Sequence, residues 1–340
     1  MTYLVTGSEG FIGSHLVEHL VRSGISVRAT VLYNSFGHTG WLADLPPEIA
    51  TEIDVVFGDV RDRNWVNSAV KGCDTIIHAA ALISVPYSYA AVESFLDTNA
   101  SGTLNVLSAA RDADICRLVQ ISSSEVYGTA QYVPIDENHP LGAQSPYAAT
   151  KIAADQMAKS FYHAYGLPVT LVRPFNTYGP RQSTRAIIPT IITQCLQEDP
   201  SLNLGVLQPT RDFTFAPDLA VGLAAAATAP DIDGDVINFG TGFEISIGNV
   251  VEMVAEILGV EVDVNFDEDR IRPANSEVER LYADVNKAEK MLGWKPKFSG
   301  KAGFKSGLRE TCDWFRNISS YQKSMYPEAF NSIPLNGNYK

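Results

Sequence analysis

The sequence predicts an α/β fold in which a doubly wound parallel sheet is followed by a smaller, discontinuous α+β domain. Short β-type runs alternate with helical periodicity through the first half of the chain, which is typical of parallel sheets flanked by helices. A glycine-rich turn joins the first strand to the first helix, and after about residue 172 the periodicity becomes irregular. At 340 residues, of which 45% are hydrophobic, the chain has enough apolar material for both parts.

The change in periodicity sets the predicted domain boundaries. The first domain takes residues 1–172, together with a return to the sheet at about 213–240. The second takes residues 173–212 and 241–316, and residues 317–340 form a polar C-terminal arm.

Charge, cysteine and histidine content disfavour several classes of function. The 26 basic and 39 acidic residues give a net charge of −13, which disfavours binding to nucleic acid or anionic membranes. The four cysteines lie far apart without a C-x-x-C pair, so neither a disulfide framework nor a zinc site is predicted. His15 and His19 lie four residues apart but lack a third ligand, so no metal site is predicted. No signal peptide or membrane-spanning run is recognised, and a reducing cytoplasm fits best.

The first strand and helix enclose a candidate dinucleotide-binding loop. Residues 3–6 form a β-type run, Gly7, Gly10 and Gly13 follow three residues apart, and residues 14–23 have helical periodicity. Glycines let the backbone approach a pyrophosphate, whose negative charge is stabilised at the helix start. This order predicts a Rossmann domain, although the spacing differs from the G-x-G-x-x-G of common dehydrogenases. The predicted cofactor-binding residues here are Gly7, Gly10, Phe11, Ile12 and Gly13.

The second predicted strand, Ser26–Leu32, leaves open which dinucleotide binds. An NAD-binding strand at this place usually ends in Asp or Glu, which binds the adenosine ribose. Here Leu32, Tyr33 and Asn34 occupy the position, and no Arg follows closely to bind the 2′-phosphate of NADP. The residues alone therefore do not decide between NAD and NADP.

Polar and small residues follow the next two predicted strands, at 54–57 and Thr75–His78. An Asp after the third strand could contact adenine, and the alanines after the fourth let a flat cofactor lie close to the backbone. Residues 84–88 are predicted to form a loop in which Ser84 and Tyr87 face a sugar, and residues 92–113 to form a helix. The cofactor-binding candidates of this region are Asp59, Val60, Ala79, Ala80, Ala81 and Asn99.

The stretch from Ser122 to Lys151 carries the candidate catalytic groups. It begins after a fifth predicted strand at 118–122 and supplies three hydroxyls and a carboxylate, which belong to Ser122, Ser123, Ser124 and Glu125. Ser122 is also a cofactor-binding candidate, because it ends the strand at the edge of the sheet.

A helix is predicted at Pro146–Tyr165, with Ser145 as its cap and Gly166 as its stop. The four-residue spacing of Tyr147 and Lys151 places both side chains on one face of this helix. A phenol beside an ammonium ion is a plausible acid–base pair, because the positive charge favours the phenolate.

The remaining predicted elements fill the second half of the chain. Arg173 to Arg181 is a segment rich in turn residues. The predicted strands are at 169–172, 202–207 and Val236–Phe239, and the predicted helices are at 187–197, 218–229, Ile247–Leu258 and 301–315. The strand at Val236–Phe239 is expected to return to the main sheet.

Together, the glycine loop, the Ser122–Gly128 run, the Tyr147 and Lys151 pair and the Arg173–Arg181 run resemble the extended short-chain dehydrogenase/reductase family, which acts on nucleotide-activated sugars. The runs VLYNSFG, ISVPYSY, SSSEVYGTAQYVPIDENHPL, RPFNTYGPRQSTRAIIPTIIT and PTRDF look like NAD-dependent 4,6-dehydratases of bacterial aminosugar pathways of the legionaminic-acid type. The resemblance implies NAD as cofactor and nucleotide-linked N-acetylglucosamine as substrate. It also implies a homodimer formed by the helices near 92–113 and 146–165.

The resemblance also implies roles for the catalytic candidates. Tyr147 would take the proton of the sugar 4-hydroxyl, Ser123 would hydrogen-bond that oxygen, and Lys151 would hold the cofactor ribose and lower the pKa of Tyr147. Glu125 would remove the C5 proton so that the C6 hydroxyl leaves. Related dehydratases that act on glucose have Asp where this chain has Ser124, so the acid for the leaving hydroxyl is open; Glu125 could return the proton through Ser124 or water.

The second domain would bind the nucleotide sugar. Asn176, Arg211 and Arg272 match family positions that contact the diphosphate, for which the Arg fork is well suited. The complete set of substrate-binding candidates is Ser84, Tyr87, Asn176, Arg185, Arg211 and Arg272.

Three other functions are weighed against a UDP-N-acetylglucosamine 4,6-dehydratase. A UDP-glucuronate decarboxylase also carries S-E-V-Y-G, and a 4-epimerase shares the oxidation step but would leave Glu125 idle. A non-catalytic NAD-binding protein on the same fold would be expected to have lost part of the catalytic set, whereas Ser123, Tyr147 and Lys151 are all present.

Overall fold

The computed structural model describes residues 1–198, 200–270 and 273–318. The strands are β1 (Thr2–Thr6), β2 (Ser26–Leu32), β3 (Ile53–Gly58), β4 (Thr75–His78), β5 (Arg117–Ile121), β6 (Val169–Pro174), β7 (Asn176–Tyr178), β8 (Ser201–Leu204), β9 (Thr210–Phe215), β10 (Val236–Phe239), β11 (Glu244–Ser246), β12 (Asp263–Phe266) and β13 (Arg280–Leu281). The predicted C-terminal arm lies, from residue 319 onward, outside the described residues.

The α-helices lie between and after these strands. They are α1 (Phe11–Arg22), α2 (Pro47–Ala50), α3 (Arg63–Ala69), α4 (Val85–Ala90), α5 (Val92–Phe95), α6 (Gly102–Asp112), α7 (Pro146–Tyr165), α8 (Ile187–Cys195), α9 (Ala216–Thr228), α10 (Ile247–Leu258), α11 (Asn286–Leu292) and α12 (Gly300–Arg316). Short 3₁₀ turns occur at Gly40–Asp44, Ser124–Tyr127, Glu268–Arg270 and Ala274–Ser276, and a π-helical turn at Leu96–Ser101. None of the described helices is long and apolar enough to cross a membrane.

The main sheet has seven parallel strands in the order β10-β6-β5-β4-β1-β2-β3. The prediction of a parallel sheet with helices on both faces is confirmed. On one face, α1 and α9 bury Leu16, Leu20 and Leu219. On the other, α6 and α7 bury Leu107 and Phe161. Since both faces are covered, the strands read as nearly continuous apolar runs.

The expected return of Val236–Phe239 to the main sheet is also confirmed. This strand, β10, pairs with β6 in parallel, with Val236 opposite Leu171. A second sheet is centred on β9, which pairs with β7, β11 and β13. A separate apolar cluster, which includes Ile191, Val250 and Leu308, packs α8, α10 and α12 together near this sheet.

One local prediction is wrong. Residues 85–88 belong to helix α4 rather than to a loop, and Ser84 caps this helix, because its hydroxyl accepts a hydrogen bond from the Tyr87 N–H at 3.3 Å. The helix predicted at 92–113 is confirmed, with a π-helical turn, Leu96–Ser101, between α5 and α6. This turn holds Asn99, whose carboxamide is bound to backbone groups outside the helix.

A network of buried hydrogen bonds connects α7 to β6 of the main sheet. Arg173, in β6, donates hydrogen bonds from Nε and Nη2 to Oδ2 of Asp155 at 3.1 and 2.9 Å. Its Nη1 donates to the Tyr127 hydroxyl at 3.0 Å, and that hydroxyl donates to Asn238 Oδ1 at 2.7 Å. The Arg173 and Asp155 side chains are 1% and 0% exposed, so neither charge can be satisfied by water.

We expect Asp155→Ala to lower the free energy of unfolding by about 3–5 kcal/mol, because the Arg173 guanidinium stays buried without its carboxylate. Urea unfolding followed by circular dichroism measures this change. Asp112→Ala is the matched control, since it removes an exposed ion pair with Arg111 and should leave the transition unchanged. Equal losses in the two variants would contradict the assigned importance of the buried pair.

Candidate active site

The candidate site lies where the direction of the main sheet reverses. From β1 the chain proceeds through β2 and β3 toward one edge, whereas β4, β5, β6 and β10 follow one another toward the other. The carboxyl ends of parallel strands on either side of such a reversal form the crevice in which open α/β sheets bind ligands. The glycine loop after β1, the alanines after β4 and the serines after β5 all lie at this edge.

The glycine loop is packed too tightly for larger residues. Gly7 has a φ of +67°, and a Cβ atom there would lie 2.8 Å from the Cα of Ala80. A Cβ on Gly13 would lie 2.0 Å from the Gly7 carbonyl oxygen. The loop is therefore held against the end of β4 and the start of α1, as a phosphate-binding turn requires.

The start of α1 is free for an anion. Gly10 is its N-cap and provides no side-chain hydrogen bond, and the first turn contains no acidic residue. Phe11 and Ile12 follow, so their N–H groups belong to the unsatisfied first turn of a helix. A pyrophosphate fits this position because the helix dipole favours negative charge there.

A buried threonine–histidine pair, which the sequence reasoning missed, orders the end of β4. Thr6 Oγ1 lies 2.6 Å from His78 Nδ1 and accepts hydrogen bonds from the N–H groups of Ala79 and Ala80 at 3.1 and 3.0 Å. Burial, assisted by the charge of Lys151, lowers the pKa of His78 to about 3, so this imidazole is neutral. The predicted cofactor-facing alanines, which include Ala81, are only partly buried.

Three further residues predicted to bind the cofactor make contacts with other residues of the chain. Asp59 forms an ion pair with Arg61 at 2.5 Å, and this hydrogen bond holds the carboxyl pKa below its usual value. Val60 is buried, and a Cβ on Gly102 would lie 2.9 Å from its Cγ2. Asn99 Oδ1 accepts from the Leu82 N–H at 2.8 Å, so its carboxamide holds the loop after β4. Their contact with a cofactor remains a prediction.

The catalytic segment begins at the end of β5. The Ser122 N–H donates to the Val172 carbonyl at 2.7 Å, while its buried Oγ has no hydrogen-bond partner among the described residues. Ser123 caps the following 3₁₀ turn, because its Oγ accepts from the Glu125 N–H at 3.2 Å. Ser124 is 2% exposed, and Glu125 is partly exposed. An unsatisfied hydroxyl at the sheet edge is consistent with a polar ligand group beside Ser122.

Helix α7 begins as the sequence predicts and brings its two functional residues to the same segment. The Ser145 Oγ accepts from the Ala148 N–H at 3.1 Å, and Gly166 ends the helix in the left-handed conformation. Lys151 Nζ donates to the Ile121 carbonyl at 2.6 Å, one residue before Ser122. Tyr147 packs edge-on against Phe95, with ring centroids 6.2 Å apart.

Burial, not Lys151, dominates the pKa of Tyr147. The phenol is 6% exposed, and burial raises its pKa above the ordinary value; hydrogen bonding from Ser123 opposes the shift and the nearby Glu125 charge adds to it. Burial also lowers the pKa of Lys151 to about 8, against the opposing influence of Asp155. Lys151 is not among the causes of the Tyr147 shift, since its ammonium is bound to the Ile121 carbonyl, and the expectation that it lowers the Tyr147 pKa stays a prediction.

The substrate candidates lie in several elements. The Ser84 hydroxyl is the cap of α4, whereas Tyr87 is 37% exposed. Asn176 begins β7, and its Oδ1 is a buried acceptor without a hydrogen bond from the described residues. Arg185 precedes α8, and its Nη2 is a buried donor that makes no hydrogen bond to the described residues. These two unsatisfied groups suit a polar ligand.

The other two residues predicted to bind the diphosphate are Arg211 and Arg272. Arg211, in β9, donates from Nη2 to Glu277 Oε1 at 3.2 Å and is 7% exposed, so a carboxylate already faces its guanidinium. Arg272 lies outside the described residues.

Comparisons with known proteins agree with this arrangement. The family model described as GDP-mannose 4,6 dehydratase matches residues 4–310. A UDP-N-acetyl-alpha-D-glucosaminuronate decarboxylase from Bacillus cytotoxicus is 32% identical, with coverage of 93% of this chain and 98% of that protein.

Two solved structures share the fold throughout. A dTDP-glucose 4,6-dehydratase from Streptomyces venezuelae, crystallised with NAD, has a TM-score of 0.84 and 31% identity over 96% of this chain and 100% of its own. A UDP-N-acetylglucosamine 4-epimerase from Methanobrevibacter ruminantium has a TM-score of 0.81 and 30% identity over 93% of this chain and 98% of its own.

The family match extends over most of the chain and includes the glycine loop, the serines after β5 and the Tyr147–Lys151 helix. The chain therefore belongs to the epimerase/dehydratase branch of the extended short-chain dehydrogenase/reductase family, which includes nucleotide-sugar 4,6-dehydratases.

Proposed function

We propose that this protein is an NAD-dependent 4,6-dehydratase that converts UDP-N-acetylglucosamine to its 4-keto-6-deoxy derivative. The main support is the position of Glu125 in the 3₁₀ turn Ser124–Tyr127, directly after Ser123 and close to Ile121, whose carbonyl holds Lys151 of helix α7. Its charge also adds to the raised pKa of the Tyr147 phenol. A carboxylate beside the oxidising tyrosine can act on the carbon next to the oxidised one.

The first task of the site is oxidation at C4. The chemistry that NAD supplies when bound is removal of a hydride from C4 and its later return to C6. Tyr147 takes the proton of the 4-hydroxyl, and Ser123 orients that oxygen. Lys151 is anchored to the Ile121 carbonyl and presents its ammonium beside the end of β5. The glycine loop and the start of α1 hold the pyrophosphate.

The second task is loss of water across C5 and C6. A 4-keto group makes the C5 proton acidic, so Glu125 can remove it as a general base. Ser124, buried directly beside Glu125 in the chain, stands where glucose-specific dehydratases carry an Asp. Glu125 then returns its proton to the leaving hydroxyl, directly, through Ser124 or through water. One water leaves, the hydride removed from C4 ends at C6, and a proton adds at C5 in the same step. That proton balances the one that Tyr147 took from the 4-hydroxyl.

The second sheet and the helices around it would hold the nucleotide. The unsatisfied Asn176 Oδ1 and Arg185 Nη2 provide a hydrogen-bond acceptor and a charged donor for this ligand. Arg211 can contribute to diphosphate binding if it exchanges its bond to Glu277 for one to a phosphate oxygen. The sugar would lie between these residues of 173–212 and 241–316 and the edge of the main sheet.

We also propose a homodimer in the cytoplasm. Residues of the helical stretch 92–113 and of α7 expose apolar side chains, with Leu96 51%, Leu104 38% and Met157 36% exposed. A second copy packed on this face would bury them. The four cysteines are free, which suits a reducing compartment.

The reaction class is tested by product mass. Incubation with UDP-N-acetylglucosamine should yield a product that has lost one water, whereas UDP-glucuronate and GDP-mannose should be recovered unchanged. Loss of carbon dioxide from the glucuronate alone would replace this proposal with a decarboxylase. An isomer of unchanged mass from UDP-N-acetylglucosamine would indicate a 4-epimerase.

Two substitutions should separate oxidation from elimination. Glu125→Gln should lower the rate of dehydration by about 10²–10⁴-fold while transient reduction of the nicotinamide persists, because the variant lacks the C5 base. Tyr147→Phe should abolish both signals. Stopped-flow absorbance of the nicotinamide and deuterium incorporation at C5 in heavy water provide the measurements.

Glu48→Gln, an exposed change of the same type, is the control for these variants and should retain full activity. Full C5 exchange in Glu125→Gln would contradict the base assignment. Full turnover in Ser124→Ala would exclude the serine from proton return.

The dimer is tested with charge on its proposed face. Leu104→Glu and Met157→Glu together should give monomers in size-exclusion chromatography with light scattering, because a buried carboxylate opposes association. Leu196→Glu, an equally 36% exposed leucine after α8, should remain dimeric. A monomeric wild-type chain would overturn the homodimer.

A further inference from the structure

The end of β2 lacks the acidic residue that usually binds the adenosine ribose of NAD. Asn34, two residues after the strand, does not replace it. Its Nδ2 donates to the His38 carbonyl at 2.9 Å, and its Oδ1 accepts from the His38 N–H at 2.9 Å. Both polar atoms of the Asn34 carboxamide are therefore bound within the loop 34–38.

A carboxylate nevertheless reaches the end of β2 from the glycine loop. Glu9 lies between Gly7 and Gly10 in that loop, and its Oε1 accepts a hydrogen bond from the Leu32 N–H at 2.9 Å. Leu32 is the last residue of β2. Glu9 thus places its charge at the strand end, although it lies 23 residues earlier in the chain.

The backbone of Glu9 is held from the other side by the 3₁₀ turn Gly40–Asp44. The Trp41 N–H donates to the Glu9 carbonyl at 3.0 Å. Gly40 has a φ of +55°, and a Cβ there would lie 2.7 Å from the Glu9 Cβ. The position of this carboxylate is therefore built into the fold rather than left to a mobile loop.

The second oxygen of the carboxylate lacks a partner. Glu9 Oε2 is buried and accepts no hydrogen bond from the described residues. Burial raises the pKa of the carboxyl, and the hydrogen bond from Leu32 only partly opposes this shift. An unsatisfied buried acceptor at a ligand-binding edge is stabilised when a ligand supplies a hydroxyl donor.

We propose that Glu9 binds the adenosine ribose 2′-hydroxyl of the dinucleotide and selects NAD over NADP. The hydroxyl donates to the carboxylate, whereas a 2′-phosphate would meet a like charge at the same place. Glu9, in the glycine loop, thus binds the ribose in place of the acidic residue that is missing from the end of β2. This inference concerns the cofactor, so it does not depend on which sugar is the substrate.

Binding of dinucleotides to the full-length chain, measured by isothermal titration calorimetry without sugar after removal of copurified cofactor, tests the proposal. The wild type should bind NAD about 10–100-fold more tightly than the analogue with 2′-deoxyadenosine, as expected for a hydrogen bond to a charged group. Glu9→Gln should prefer NAD over the analogue less than the wild type does, because an amide gives a weaker hydrogen bond to the hydroxyl than a charged group, and it should bind NADP more tightly than the wild type does. The amide oxygen can still accept from Leu32, so the variant should fold.

Glu52→Gln is the matched control. It removes an equal charge in the same domain at an exposed residue before β3, at the opposite end of the strands. It should retain the wild-type preference for NAD. Equal binding of NAD and its 2′-deoxy analogue by the wild type would overturn the proposal, even if Glu9→Gln fails to fold. An unchanged NADP to NAD affinity ratio in a folded Glu9→Gln would overturn the selectivity.

Discussion

The buried ion pair between Arg173 and Asp155 determines where α7, the helix that carries Tyr147 and Lys151, can lie. Asp155 is one turn beyond Lys151 on α7, and Arg173 is fixed in β6, the neighbour of β5 in the sheet. Lys151 supplies a second attachment through the carbonyl of Ile121, the last residue of β5. Because the serines follow Ile121 directly, the two attachments bring α7 and the serine segment into one register. The geometry of Tyr147 and Ser123 thus depends on charges that never meet water.

The same burial that fastens the helix also sets its chemistry. Exclusion of water raises the pKa of Tyr147 and lowers that of Lys151, so both shifts favour the neutral groups. Asp155 opposes the shift at Lys151 and therefore helps to retain the ammonium ion. A phenol with a raised pKa stays protonated and is therefore a poor base. The role proposed for Tyr147 in C4 oxidation thus needs a positive charge nearby to favour the phenolate, and the nicotinamide ring of bound NAD would supply one.

Local patterns predicted much of the fold, and contacts distant in sequence account for what they missed. The bounds of α7 followed from Ser145, Pro146 and Gly166, because caps and stops act within one turn. The glycine loop could also be predicted, because its glycines lie within one short stretch of the sequence. By contrast, Thr6 meets His78 across 72 residues, and Glu9 meets Leu32 across 23. Neither pair leaves a periodic signal in the sequence. The same holds for Asn99, which lies in the turn Leu96–Ser101 and contacts Leu82 across 17 residues.

The distribution of carboxylates distinguishes the two ends of the site. Dehydration, decarboxylation and 4-epimerisation all start with oxidation at C4, so Ser123, Tyr147 and Lys151 cannot discriminate between them. The discriminating group is the one that acts at C5, and the proposal gives this role to Glu125, which lies in the 3₁₀ turn directly after Ser123. At the adenosine end, Glu9 would act only by binding. In these proposals one glutamate, in the glycine loop, selects the cofactor, and another, after β5, decides the fate of the oxidised sugar. The two properties could then change independently.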